Sequence, residues 1–139
     1  MENLLSRLKE LEENLRILHE FKSLSFDDIR ADKKLLWGLR YGMLESLQIV
    51  IDTSCAVVSY YNLGNPKSYA ECVEILGREG YLTKGLTQHI VKAIGLRNIL
   101  VHEYFGVDDE LVYKSLNDLK DMEEFSVQIL SKVDGNWRV

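Results

Sequence analysis

The chain has 139 residues, 46% apolar and 28% charged, with one proline, nine glycines and a formal net charge of −5. That length supports one compact domain with its own core, and the scarcity of proline and glycine excludes a disordered chain or a loop-rich β architecture. No apolar run reaches the ~18 residues that a membrane span needs, and the opening MENLLSRLKE has no apolar signal core, so no membrane association and a cytoplasmic location are expected. Residues 105–139 hold eight acids and four bases, whereas residues 66–104 hold five bases and four acids. Without a basic stripe, stable duplex-DNA binding is not expected, and any nucleic-acid contact must be local.

In chain order, Leu4, Leu5, Leu8, Leu11, Leu15 and Leu18 recur at helical spacing over residues 2–22. Ser25 and Asp27 are candidate caps for a second helix from about 27 to 62, with Leu39, Met43, Leu47, Val50, Ile51, Val57 and Val58 on its apolar side. Asn62-Leu63-Gly64-Asn65-Pro66 is its stop signal. That stripe is long for one small bundle, which predicts that a second copy of the chain covers part of it. Trp37 with Tyr41, and Tyr60 with Tyr61, are read as core or dimer packing.

Ser68 and Glu71 have capping-box spacing and open a helix that runs to about Glu79, ended by Gly80. Leu82-Thr83-Lys84-Gly85 reads as a turn, and Thr87 as the cap of a helix over about 88–103. Asp108 and Asp109 open a last helix carrying Leu111, Val112, Leu116, Leu119, Met122, Phe125, Ile129 and Leu130. Residues 134–139 are expected to fray. The expected fold is therefore all-α, an antiparallel helical bundle of about five helices over residues 1–133, homodimeric. Cys55 and Cys72 fall in apolar helical patterns without C-x-x-C spacing and are read as reduced core thiols.

The segment Arg97-Asn98-Ile99-Leu100-Val101-His102-Glu103-Tyr104 concentrates a guanidinium, an amide, an imidazole and a phenol at the end of an apolar helical run. Cleavage of a phosphodiester needs a base to activate a nucleophile such as a ribose 2′-hydroxyl. It also needs an acid for the leaving oxygen and a cation for the developing charge. An imidazole can both take up and release a proton, so His102 suits either proton role, Arg97 can grip phosphate with a fork of donors, and Asn98 can orient either. One histidine supplies one proton-transfer group, so a composite site made by two chains is the physical expectation. The alternative is structural: Arg97 paired with Asp52, the lone acid inside the apolar stretch of the second helix, and His102 capping the end of its own helix. His19 and His89 have no partners at metal spacing. No Walker loop, H-E-x-x-H, G-x-G-x-x-G or nucleophile elbow is present, and neither a metal nor a bound cofactor is expected.

Arg97-x4-His102-x-Tyr104 resembles the Arg-x4-6-His motif of the HEPN superfamily in the extended form of its HepT branch. The string from Gly95 to Asp108, Ile51-Asp52 in a long apolar run, and the turns Leu63-Gly64-Asn65-Pro66 and Gly80-Tyr81-Leu82 are similar to that branch, so the likeness spans roughly residues 5–133. It implies a homodimeric toxin of a toxin–antitoxin module, acting as a metal-independent endoribonuclease on an RNA substrate. Arg97 and His102 would be catalytic, with Asn98 and Asp52 supporting. It also implies a partner, an MNT-type nucleotidyltransferase antitoxin that uses ATP to place AMP on Tyr104. The sequence departs from several such relatives at Gln48, where they carry glutamate one turn before the aspartate. A second reading is a non-catalytic helical module that binds nucleotide or serves as an accessory subunit of a nucleotidyltransferase.

Overall fold

The computed structural model of the chain describes residues 3–102 and 106–137. Among these it is an all-α bundle of seven α-helices and one 3-10 turn. In order they are α1 (Leu4–Phe21), α2 (Phe26–Ala31), α3 (Lys33–Tyr60), α4 (Tyr69–Arg78), α5 (Lys84–His102), α6 (Asp109–Lys114), the 3-10 turn (Ser115–Asp118) and α7 (Leu119–Lys132). The leucine stripe of α1 turns inward as its spacing demands, with Leu4, Leu8, Leu11, Leu15 and Leu18 all buried. Asn3 caps that helix in a reciprocal box with Ser6.

The predicted helix over 27–62 is two helices. Asp32 is extended (φ −118°, ψ 108°), and its carboxylate accepts from the backbone N–H of Lys34 at 2.9 Å. A short acidic side chain offers the backbone an alternative to the helical ladder, so one continuous periodic pattern is cut there and a new N-terminus starts. At the far end of α3 the left-handed residue is Asn62 (φ 53°), not the neighbouring Gly64, and the Leu63 N–H closes back onto the Val58 carbonyl at 2.9 Å. α4 ends as expected at Gly80 (φ 82°).

α5 begins at Lys84, earlier than predicted. Thr83 is the residue whose hydroxyl accepts from the Leu86 N–H, while Thr87 lies inside the helix and donates back to the Thr83 carbonyl. Gly77 faces that threonine, and a Cβ there would collide with the Thr87 side chain, so α4 and α5 approach closely. The last predicted helix is broken by the 3-10 turn, and Leu116 stays buried through the break.

The middle of α3 is covered within one chain: Leu39, Met43, Leu47, Ile49, Val50, Ile51, Val57 and Val58 are all buried. The expectation that its stripe needs a second copy for cover therefore does not hold, because the helices packed around α3 already bury it. Trp37 and Tyr41, expected in packing, are 56% and 65% exposed at the other end of α3. Residues 134–137 are docked rather than frayed. The backbone N–H groups of Leu4 and Leu5 donate to the carbonyls of Trp137 and Gly135, each at 2.9 Å. The Trp137 ring stacks on Tyr60 at 4.1 Å, and its indole N–H donates to the Tyr61 hydroxyl at 3.2 Å. The tail thereby satisfies two donors that the start of α1 would otherwise leave without partners.

Cys55 and Cys72 are not reduced thiols: they form a disulfide joining α3 to α4, with Cα atoms 5.1 Å apart. Both cysteines lie in helices that face each other, and sequence spacing alone does not reveal that proximity. Closing a loop of 17 residues is expected to add about 3 kcal/mol to stability by the chain-entropy argument. Urea unfolding with and without a reductant checks this. An unchanged midpoint would show that the bond contributes nothing to the fold.

Candidate active site

The site lies on the C-terminal half of α5, where it runs against α3 and the start of α4. Arg97 is half-buried. Its Nε–H donates to Gln48 Oε1 at 2.9 Å and one of its terminal N–H groups donates to Asn98 Oδ1 at 3.2 Å. Its guanidinium lies over the Tyr69 ring, 5.1 Å from the centroid. Gln48 in turn donates from Nε2 to Asp52 Oδ1 at 2.7 Å, and Asp52 Oδ2 stands 3.6 Å from the Arg7 guanidinium. A polar relay thus runs Arg97, Gln48, Asp52, Arg7 and links α5, α3 and α1.

The direct Arg97–Asp52 ion pair considered from sequence is not formed, because the Gln48 amide stands between the two groups. Nor is Asp52 a buried carboxylate, since 43% of its side chain is exposed. The consequence is electrostatic. Among the described residues no carboxylate pairs with Arg97, so two neutral amides orient the guanidinium while its charge is left uncompensated. Among the described residues two of its five N–H donors are engaged and three are open to a ligand.

His102 is the last residue of α5 and is exposed. Among the described residues no hydrogen bond or ion pair engages its ring, so it is not consumed in capping its own helix. It lies five positions after Arg97, about 140° round the axis and about 7.5 Å along it on a regular helix. Within one chain the imidazole and guanidinium therefore diverge. Asn98 is exposed and lies four residues before His102, on its face of the helix. Tyr104, the expected site of AMP addition, lies outside the described residues.

Gln48 and Tyr69 are the members of the site that residue types alone did not single out as functional. For Gln48 a signal existed: glutamine and aspartate four apart on a helix form a side-chain hydrogen bond. For Tyr69 there was none, since its position depends on how α4 packs against α5. Two neighbouring arrangements hold the frame. Arg40 makes a two-pronged contact with Asp109, Nε to Oδ1 at 2.6 Å and a terminal nitrogen to Oδ2 at 2.7 Å, which ties α6 to α3. That hydrogen bonding raises the Arg40 pKa above its ordinary value against a smaller opposing effect of burial. Hydrogen bonds from the Tyr41 hydroxyl and the Asn14 amide hold the Glu45 carboxyl below its ordinary range, one turn before Gln48.

Replacement of Gln48 by leucine should cut the relay with little change in fold, at a cost of about 0.5–1.5 kcal/mol. The Arg97 Nε–H, held by Gln48 in the native chain, is expected to give a resolved, slowly exchanging NMR resonance that disappears in Gln48→Leu. Persistence of that resonance would mean that another group holds the guanidinium.

A family model described as Ribonuclease HepT-like matches residues 11–129. The chain is 32% identical over 76 residues to the mRNA nuclease HepT of Shewanella oneidensis, covering 54% of this chain and 57% of that protein. It is 28% identical over 114 residues to the tRNA nuclease HepT of Aphanizomenon flos-aquae, covering 81% of this chain and 76% of that protein. The match thus spans little more than half the length of the Shewanella nuclease. The fold is shared with a solved structure of a tri-AMPylated Shewanella oneidensis HEPN toxin in complex with an MNT antitoxin. The TM-score is 0.84 at 20% identity, over 95% of this chain and all of that one. With most of its length matched by the family pattern, the chain belongs to the ribonuclease HepT-like family.

Proposed function

We propose that this protein is the toxin of a toxin–antitoxin module and a metal-independent endoribonuclease whose site is assembled by two copies of the chain. The observation that carries the reading is the Arg97 guanidinium, oriented by the neutral amides of Gln48 and Asn98 and paired with no carboxylate among the described residues, on the same helix as an exposed His102. Family membership and the names of the two HepT nucleases support the reaction class.

In this reading Arg97 grips the scissile phosphate with its remaining donors and stabilises the charge that builds there. One His102 removes the proton of the ribose 2′-hydroxyl, whose oxygen attacks the adjacent phosphorus. The leaving 5′-oxygen takes a proton from a second imidazole, and the products are a 2′,3′-cyclic phosphate and a 5′-hydroxyl end. One chain brings a single His102, so the second proton carrier comes from its counterpart. Support for pairing comes from the end of α5. Beyond Ile94, Leu96, Ile99, Leu100 and Val101 are only half-buried in the single chain, an apolar surface next to His102 that a second copy can cover.

Tyr104 is the point of control. Its hydroxyl oxygen attacks the α-phosphorus of ATP on a partner nucleotidyltransferase, forming a tyrosyl–AMP ester and releasing pyrophosphate. Tyr104 is two residues past His102, so chain geometry keeps their Cα atoms within about 7 Å. Each AMP added there brings a negative phosphodiester and a bulky nucleoside to the RNA-binding cation. The tri-AMPylated Shewanella toxin, in complex with an MNT antitoxin, supports AMP addition as the means of control.

Arg97→Ala and His102→Ala should each lower RNA cleavage by about a hundredfold or more, with the melting temperature unchanged in His102→Ala and only a few degrees lower in Arg97→Ala, which also loses the bond to Gln48. Gel analysis of fragments bearing cyclic-phosphate ends measures this, and full cleavage by either variant would remove that residue from the site. Incubation with a partner nucleotidyltransferase and ATP should add whole AMP units to the native chain and none to Tyr104→Phe. Equal mass gain in both would move the acceptor elsewhere.

A further inference from the structure

The Arg97 guanidinium has an aromatic neighbour that the reaction described above does not use. Tyr69 is the first residue of α4, 44% exposed, with its ring centroid 5.1 Å from the Arg97 guanidinium carbon. We propose that Tyr69 is a nucleobase-stacking subsite: with a phosphate on Arg97, a base of the same single-stranded RNA, one sugar away, stacks on the Tyr69 ring. The inference rests on the ribonuclease reading and deepens it by placing part of the substrate.

Three features hold the ring ready. The Ser68 hydroxyl accepts from the Glu71 N–H at 3.1 Å and fixes the first turn of α4. Cys72 lies three residues beyond Tyr69 and is bonded to Cys55 of α3, so the turn that carries the ring is tied covalently to the helix that carries Gln48. Gln48 and Asn98 hold the guanidinium from its Nε and one terminal nitrogen, which keeps the cation over one face of the ring. The guanidinium covers one face of the ring, so the base stacks on the opposite face of this 44% exposed side chain, and a cation and a π surface set together suit a nucleotide, whose charge and base are separated by one sugar. Every base has a π face, so such a site tolerates sequence, with purines favoured by their larger area. Tyr69 in this role is a binding residue and takes no proton.

The test uses the full chain and a short single-stranded RNA whose cleavage point has been mapped. A version with 2′-deoxyribose at that point binds without being cut. Tyr69→Leu is expected to weaken binding about tenfold or more, while Tyr69→Phe, which keeps the ring, binds as the native chain does. The loss should appear in KM more than in kcat. An abasic scan of nucleotides around the cleavage point supplies the arm that a structural role would not move. At one position, loss of the base should weaken the native chain about tenfold and Tyr69→Leu hardly at all.

Equal sensitivity of both proteins at every position, or native-like binding by Tyr69→Leu, overturns the subsite and leaves the ribonuclease standing. Absence of cleavage with binding that still depends on Tyr69 overturns the ribonuclease and leaves the subsite. A native chain that neither cuts nor binds overturns both.

Discussion

Helix α3 is the member on which the other helices lean. Every other α-helix packs against it, and its buried segment between Leu39 and Val58 is the common wall of the core. A helix contacted from so many sides has little surface left for polar groups. Where Gln48 and Asp52 nonetheless occur on it, a turn apart and only half-buried, they face α5 and α1. The site is therefore not an addition to the bundle. It occupies the strip of α3 that the surrounding helices leave open, and the core that fixes α3 fixes the polar relay with it.

The charge logic of that strip follows from one amide. A carboxylate in hydrogen-bond contact with the guanidinium would pair with it and compete with any incoming phosphate. Glutamine accepts from Arg97 with its oxygen and donates to Asp52 with its nitrogen, so it transmits position without cancelling charge. Asp52 is satisfied separately, by Gln48 and by Arg7. The cation is thus aimed by neutral groups, while the Asp52 carboxylate is held one side chain away. Such an arrangement suits a transient anionic ligand better than a permanent ion pair.

The sequence made part of this legible. The heptad-like leucines of α1, the capping serine of α4 and the glycine that ends it all act through local rules, and the structure follows them. The break at Asp32 was hidden because the apolar period runs unbroken across it, and only the competition of one side chain for the backbone cuts the helix. The start of α5 was displaced for a related reason, since Thr83 and Thr87 carry the same hydroxyl and one turn decides which is the cap. Arg97, Asn98 and His102 announced themselves by type and spacing. Non-local facts did not: the Cys55–Cys72 bond, the stacking of Trp137 on Tyr60 and the approach of Tyr69 to Arg97 each depend on two helices whose separation along the chain says nothing of their distance in space.

The two tryptophans of the chain sit in opposite settings. Trp137 is stacked on one tyrosine and hydrogen-bonded to another at the root of α1, whereas Trp37 stands 56% exposed on α3 with the Lys33 ammonium 5.1 Å from its ring centroid. Their emission should therefore separate under a soluble quencher: iodide reaches Trp37 more readily than the part-buried Trp137. The shielded signal reports closure of the chain's two ends upon each other. The open one reports whatever lands on the far end of the spine, so a single unlabelled sample carries independent optical gauges of folding and of association.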